Sequence, residues 1–203
     1  MILRSCTSED WQFLLSLRND PLTRENSLNK EKVDVENHKE WLKNSLQNNN
    51  RKIYIAEINN NPVGMIREDL IEESKIVLSW AVSPSLRGRG YGTQILNNIT
   101  NDRVETFYAH IKSSNIPSAK MALKNNFTLE SEIDSLCIYK KRGFYEIISE
   151  IENVRRNNNV KWMDVLRLSF KTAPKEAKKL FCEINKNDMK VSELLQELIK
   201  NDN

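Results

Sequence analysis

At 203 residues the chain is long enough for one ordinary domain, or one domain with a small appendage, and for a core that buries most of its apolar side chains. Its 39% hydrophobic and 29% charged residues are a globular balance. The net charge of +3 is spread as 20 basic and 18 acidic residues up to Arg142 and 11 and 10 beyond it, which argues against a nucleic-acid partner.

Cys6, Cys137 and Cys182 have no paired spacing, and neither His38 nor His110 has a cysteine at ligand distance in sequence, so neither a disulfide framework nor a metal site is expected. No apolar run reaches the length of a signal h-region or a membrane span, and a cytoplasmic protein without membrane contact is expected.

Residues 2–6 form a short strand. Thr7 or Ser8 can cap a helix carrying Trp11, Leu14, Leu15 and Leu17, and Pro21 marks its end. Residues 22–34 are polar and assign no element. From Val35 onward His38, Trp41, Leu42 and Leu46 recur at helical spacing until the run Asn48-Asn49-Asn50. Residues 52–58 are a strand, Asn59-Asn60-Asn61-Pro62 turns the chain, 63–67 returns, and 75–82 is the next strand. A helix to about residue 101, a strand over 104–112, a helix over 117–125 and strands over 127–131 and 136–141 follow. The expected fold is α/β: a twisted mixed sheet over residues 1–142 with helices on both faces.

Residues 143–203 have a different character. Phe144, Ile147, Ile148 and Ile151 share a helical face, as do Ala177, Leu180, Phe181 and Ile184, and as do Val191, Leu194, Leu195, Leu198 and Ile199. Residues 160–170 are too apolar to be solvated on all sides. Junctions at 155–159 and 172–174 separate these segments into a helical appendage. Its apolar faces can form a miniature bundle, or dock on a protein partner or a second copy in a homodimer.

The chemistry is concentrated where the 75–82 strand meets its helix. Ser83-Pro84 stops the strand, because proline has no N–H for a ladder. Gly88, Gly90 and Gly92 then alternate with Arg89 and Tyr91, and Ile95, Leu96 and Ile99 follow at helical spacing. A helix start offers unpaired N–H groups and a partial positive charge, glycines let a phosphate approach closely, and Arg87 and Arg89 add formal charge. The loop is read as a pyrophosphate cradle. It lacks the Gly-Lys-Ser/Thr ending of a Walker loop and the three-residue glycine step of the dinucleotide fingerprint.

Arg87, Gly90 and Gly92 resemble the Arg/Gln-x-x-Gly-x-Gly/Ala loop of the GNAT superfamily of acetyl-CoA-dependent N-acetyltransferases, and the element order over residues 1–142 is similar to that of the family. The segment from Asn115 through Ser118 and Lys124 to Phe127 resembles the family's Asn-x-x-Ala/Ser…Lys-x-Gly-Phe segment, with Asn126 where glycine usually stands. Asparagine tolerates the left-handed dihedrals that this position requires. The resemblance implies acetyl-CoA held by the backbone of Trp80, Ala81 and Val82, by Arg87, Gly88, Arg89, Gly90, Tyr91, Gly92 and Thr93, and by Asn115 and Lys124.

It also places His110 on the strand that walls the other side of the site, as a base for the acceptor amine, with Glu68 and Asp69 as alternatives. Many family members carry a tyrosine as the acid where this chain has Ala122. The features around Arg18, Asn19, Arg24, His38, Trp41 and Arg67 are similar to those of GNAT enzymes that acetylate the 4-amino group of nucleotide-linked deoxyamino sugars on routes to nonulosonic acids. The arginines can pair with a diphosphate, and Trp41 or His38 can stack on a base or sugar. Similar features occur in GNAT enzymes that acetylate protein N-termini, which is the alternative activity. A non-catalytic acyl-CoA-binding subunit is the third reading.

Overall fold

The computed structural model describes residues 1–200, with side-chain surroundings for all of these except 157–160 and 195–200. Two compact units are present. The first is Met1–Ile148 and the second begins at Ser149.

The first unit is built on a seven-stranded sheet in the order β1-β2-β3-β4-β5-β7-β6. Its strands are β1 (Ile2–Ser5), β2 (Arg51–Ile58), β3 (Asn61–Glu72), β4 (Lys75–Val82), β5 (Thr106–Lys112), β6 (Thr128–Ile133) and β7 (Leu136–Lys141). Every neighbouring pair is antiparallel except β4 and β5. The tight β2–β3 turn holds Asn59 at φ 49° and Asn60 at φ 62°, the pair of positive values that a two-residue hairpin with the strands' own twist requires. The expected strand over 63–67 runs on to Glu72, because its partners on both sides continue to supply hydrogen bonds.

Strand alternation sends side chains to two separate apolar layers. On one face α4 (Tyr91–Thr100) and α5 (Ile116–Lys124) cover Ile66, Leu78, Phe107 and Ala109 with Ile95, Leu96 and Ala122. On the other face α1 (Trp11–Asn19) and α3 (Val35–Gln47) bring Leu14 and Leu42 onto Ile53 and Ile55. Between them Pro21 does more than end a helix. It is the first residue of α2 (Pro21–Asn26), with Asp20 as the cap whose side chain accepts from the Thr23 N–H. Proline is favourable there, since its missing N–H would be unpaired in any case.

The chain after Arg142 forms two long helices, α6 (Phe144–Thr172) and α7 (Pro174–Lys200), with Ala173 between them. The expected junction at 155–159 is absent and α6 runs through it. Three asparagines each cost about 0.7 kcal/mol or less in helix propensity, while extending an existing helix needs no new nucleus. The junction at 172–174 is real, because Pro174 cannot continue α6. Phe181 of α7 lies between Trp162, with ring centroids 6.3 Å apart, and Phe170, at 5.9 Å, and Ala177 is buried. The helices are therefore an antiparallel hairpin. The apolar positions Leu195, Leu198 and Ile199 lie outside the described side chains.

Candidate active site

The parallel register of β4 and β5 runs from Lys75 opposite Thr106 to Leu78 opposite Ala109 and stops there. Beyond it Ser79–Val82 pair with β3 alone, and His110–Lys112 with β7 alone. A hydrogen bond of 2.9 Å from the Ser83 N–H to the Val63 carbonyl keeps the end of β4 with β3. The two strands thus part into a wedge, and backbone groups of Ser79, Trp80, Ala81 and Val82 on the β5 side have no strand partner. An extended amide-bearing ligand can complete such an edge, since backbone N–H and C=O groups require partners.

The glycine loop closes the wide end of the wedge. Gly88 (φ 77°) and Gly90 (φ 81°) are both left-handed, and nothing lies within 4 Å of where a Cβ would stand at either. Gly90 is the cap of α4 and offers no side-chain acceptor to the first turn. The first-turn N–H groups of Tyr91, Gly92 and Thr93 therefore have no side-chain cap, and the positive helix end with the open glycine positions before it suits a diphosphate. Gly92 serves another purpose. A Cβ there would come within 2.2 Å of Met121 Sδ, so its absence lets α4 settle against α5. Arg89 is exposed without an ion-pair partner among the described residues.

Arg87 is engaged elsewhere. Its guanidinium donates to Asp20 Oδ1 at 2.5 Å and to Thr23 Oγ1 at 2.9 Å. Burial pushes the Asp20 carboxyl up, but the hydrogen bonds from Arg87 and Thr23 outweigh this and hold it below its ordinary value. At the other end of α2, Lys112 Nζ on the tip of β5 donates to the carbonyls of Glu25 and Ser27. α2 is consequently tied to the cradle at one end and to β5 at the other, and it bridges the mouth of the wedge. Asp20, Thr23 and Lys112 were not singled out in the sequence. Asp20 announces itself only as a cap before proline, and nothing local links it to Arg87, 67 residues away.

The expected acceptor residues divide. Arg18 Nη2 donates to the Asn29 carbonyl at 3.0 Å and Arg24 Nη1 to the Lys30 carbonyl at 3.4 Å, but Arg18 Nη1 and Arg24 Nε are buried with no partner. No carboxylate pairs with either among the described residues. Asn19 uses its amide to hold the backbone of Val33 through bonds of 2.7 and 2.9 Å, closing the loop that Arg18 and Arg24 support. His38 is 3% exposed and stacks on Trp41 with centroids 5.4 Å apart, so this pair fills the layer between α1 and α3. Burial lowers the His38 pKa and keeps the ring neutral. Arg67 bonds Asp69 at 2.7 Å, and Asp69 also takes Arg51 at 2.5 Å.

Among the possible bases, Glu68 faces the α4 layer, where it is 4% exposed and paired with Arg103 at 2.7 Å. Asp69 is held between two arginines. His110 is exposed and is the first β5 residue past the paired segment. It shares the face of Lys112, opposite to the buried Ala109, and so looks to the side bridged by α2. Asn115 caps α5, accepting from the Ser118 N–H at 3.3 Å, and Lys124 is exposed in its last turn. Ala122 is fully buried and leaves no room for a hydroxyl-bearing ring. Asn126 has φ 65°, the left-handed value expected of a residue in place of glycine.

The family model for the acetyltransferase (GNAT) domain matches residues 1–128. The chain belongs to the GNAT acetyltransferase family. Solved structures share its fold. A spermidine N-acetyltransferase from Vibrio cholerae in complex with CoA and spermine superposes with a TM-score of 0.61 at 14% identity, covering 68% of this chain and 92% of that one. A ribosomal-protein-alanine N-acetyltransferase from Brucella melitensis gives 0.58 at 23%, covering 70% and 99%. An acetyltransferase from Salmonella typhimurium with its cofactor acetyl-CoA gives 0.60 at 17%, covering 70% and 93%. Among curated protein sequences none matches the chain.

This GNAT protein is an acyl-CoA-dependent N-acetyltransferase, and its cofactor is acetyl-CoA. The residues present fit that cofactor: an uncapped helix start and an open glycine floor for the diphosphate, and an unpaired strand edge for the amide-bearing arm. No helix among the described residues is long and apolar enough to cross a membrane, and no group of three His, Cys, Asp or Glu there could hold a metal ion.

Proposed function

We propose that this enzyme acetylates the 4-amino group of a nucleotide-linked deoxyamino sugar. The observation that supports the reading is the pair of buried donors at Arg18 Nη1 and Arg24 Nε, which have no hydrogen-bond acceptor, on two arginines that form no ion pair among the described residues. Leaving such a donor unpaired costs about 1–3 kcal/mol, a cost that an oxyanion of the acceptor removes on binding. A diphosphate supplies several such oxygens in the geometry guanidinium groups favour. A polyamine, like the spermine bound to the Vibrio enzyme, would bring its own positive charge to two arginines, where carboxylates are needed instead.

Bound acetyl-CoA supplies the acetyl group as an activated thioester. The backbone N–H groups of the Gly88–Thr93 loop, with Arg89, hold the diphosphate, and the free edge of Trp80, Ala81 and Val82 orients the arm. Arg18 and Arg24 bind the anionic part of the acceptor. His110 takes a proton from the acceptor amine, directly or through one water, at the point where β4 and β5 part. No acid is assigned at Ala122; a free thiol of pKa about 8.5 does not require one near neutral pH.

The test is thiol release from acetyl-CoA with UDP-4-amino-4,6-dideoxy sugars, with basic N-terminal peptides and with spermidine. Turnover on the sugars, with a KM raised about tenfold or more in Arg18→Gln, is the expected result. Turnover on peptides alone assigns the enzyme to protein N-termini, and turnover on spermidine alone overturns the anionic acceptor.

A further inference from the structure

The second unit carries an apolar surface that its own fold leaves uncovered. Phe181 covers the side of α6 that holds Trp162 and Phe170. Advancing about 100° per residue, Val154, Val165 and Leu168 form a second stripe on α6, well away from that contact. They are 62, 53 and 60% exposed. On α7 the positions Leu180, Val191 and Leu194 lie about 60, 40 and 100° round the helix from the buried Ala177, all to the one side of it, and are 59, 55 and 48% exposed. Because the helices are antiparallel, the sense of rotation reverses between them, and the two stripes emerge on the same side of the hairpin.

We propose that this side of the α6–α7 hairpin seats on the same side of a second copy, so that two chains close a four-helix bundle. Size and charge both select that occupant. From Ser149 onward the hairpin face is about 35 Å long and 20 Å wide, roughly 700 Å² per copy, close to the ~800 Å² per partner of a standard interface. The chain beyond Arg142 holds 11 basic and 10 acidic residues, so two copies approach without net repulsion. That balance gives no preference for an acidic or basic partner, and a membrane surface would need a cationic amphipathic face. An isologous contact between identical hairpins makes the bundle a closed dimer, with each stripe covered by its equivalent.

Sedimentation velocity on the full chain tests this. Wild type is expected at twice the chain mass of 23.7 kDa at micromolar concentration. Leu168→Glu and Leu180→Glu are expected at the single-chain mass, with helicity by circular dichroism and coenzyme A affinity unchanged. Hydrogen exchange on the wild type at two concentrations gives a reading free of substitutions, with protection rising with concentration in α6 and α7. A monomeric wild type overturns the proposal. So do a dimer that persists in both variants and concentration-dependent protection confined to Met1–Ile148, which would place the contact elsewhere.

Discussion

Replacing Gly90 with aspartate separates the cradle's electrostatics from its contribution to folding. Gly90 has φ 81° and an added Cβ meets nothing within 4 Å, so the cofactor-free protein bears only the left-handed backbone cost of about 1–2 kcal/mol. In a chain of this size that lowers Tm by roughly 2–4 °C per kcal/mol. Binding suffers far more. A carboxylate about 5 Å from a phosphate charge, at an effective dielectric of about 20, opposes it by roughly 3 kcal/mol, which is at least a hundredfold in affinity. Gly90→Asn is the control, with the same shape and the same tolerance of positive φ but no charge. Titration calorimetry with coenzyme A should show Gly90→Asp weakened a hundredfold or more and Gly90→Asn within about tenfold of wild type. Wild-type affinity in Gly90→Asp, or equal losses in both variants, refutes the placing of the diphosphate on these amides.

The other predictions concern the base, the acceptor arginines and the fold. His110→Ala should lower kcat/KM about a hundredfold with the KM for acetyl-CoA unchanged, and a loss below threefold in initial rates removes His110 as the base. Arg24→Met deletes a buried donor that has no partner together with a long 3.4 Å bond to the Lys30 carbonyl, two effects that oppose each other, so the acceptor-free protein should unfold within about 3 °C of wild type, while the KM for the nucleotide sugar rises at least about tenfold.

Asp10 is held down to about 2, chiefly by hydrogen bonds from Arg4 against the opposing effect of burial. A depressed carboxylate stabilises the fold in full above its unfolded pKa and loses that contribution as pH falls from about 4 to about 2. Arg4, which pairs with Asp10 and Glu57, is 37% exposed, so Arg4→Gln should cost about 1–2 kcal/mol by urea denaturation at pH 7 after screening, and only a few tenths of that at pH 2, where Asp10 is half protonated. Burial pushes the Cys6 thiol up to about 12 and raises Cys137, so a thiol reagent should titrate Cys182 first, as one fast equivalent per native chain.

The conformation of the glycine loop was legible because its requirements are local. A loop with positive φ at Gly88 and Gly90, leading into an apolar helix, is specified by the residues that form it. The same holds for Asn126 and for the start and end of most elements. Where the local reading failed, a neighbour decided. The asparagines at 157–159 did not break α6, because an established helix carries weak formers through, and Pro21 started a helix as well as ending one.

The faces of side chains were a different matter. Helical spacing put His38 beside Trp41, but only the packing of α1 across α3 buried His38 and laid the half-buried Trp41 against the core. Glu68 and Asp69 are adjacent in sequence, yet strand alternation sent one to Arg103 under α4 and the other to Arg51 and Arg67 on the opposite face. By itself the sequence determined the family, the left-handed glycine loop ahead of α4 and the order of most elements, since each depends on contacts within a few residues. The tertiary structure alone decided that β4 and β5 part at Leu78, that Arg87 reaches Asp20, and that Arg18 and Arg24 keep unpaired donors. Those outcomes depend on which distant segments meet and which polar groups find no partner when they do.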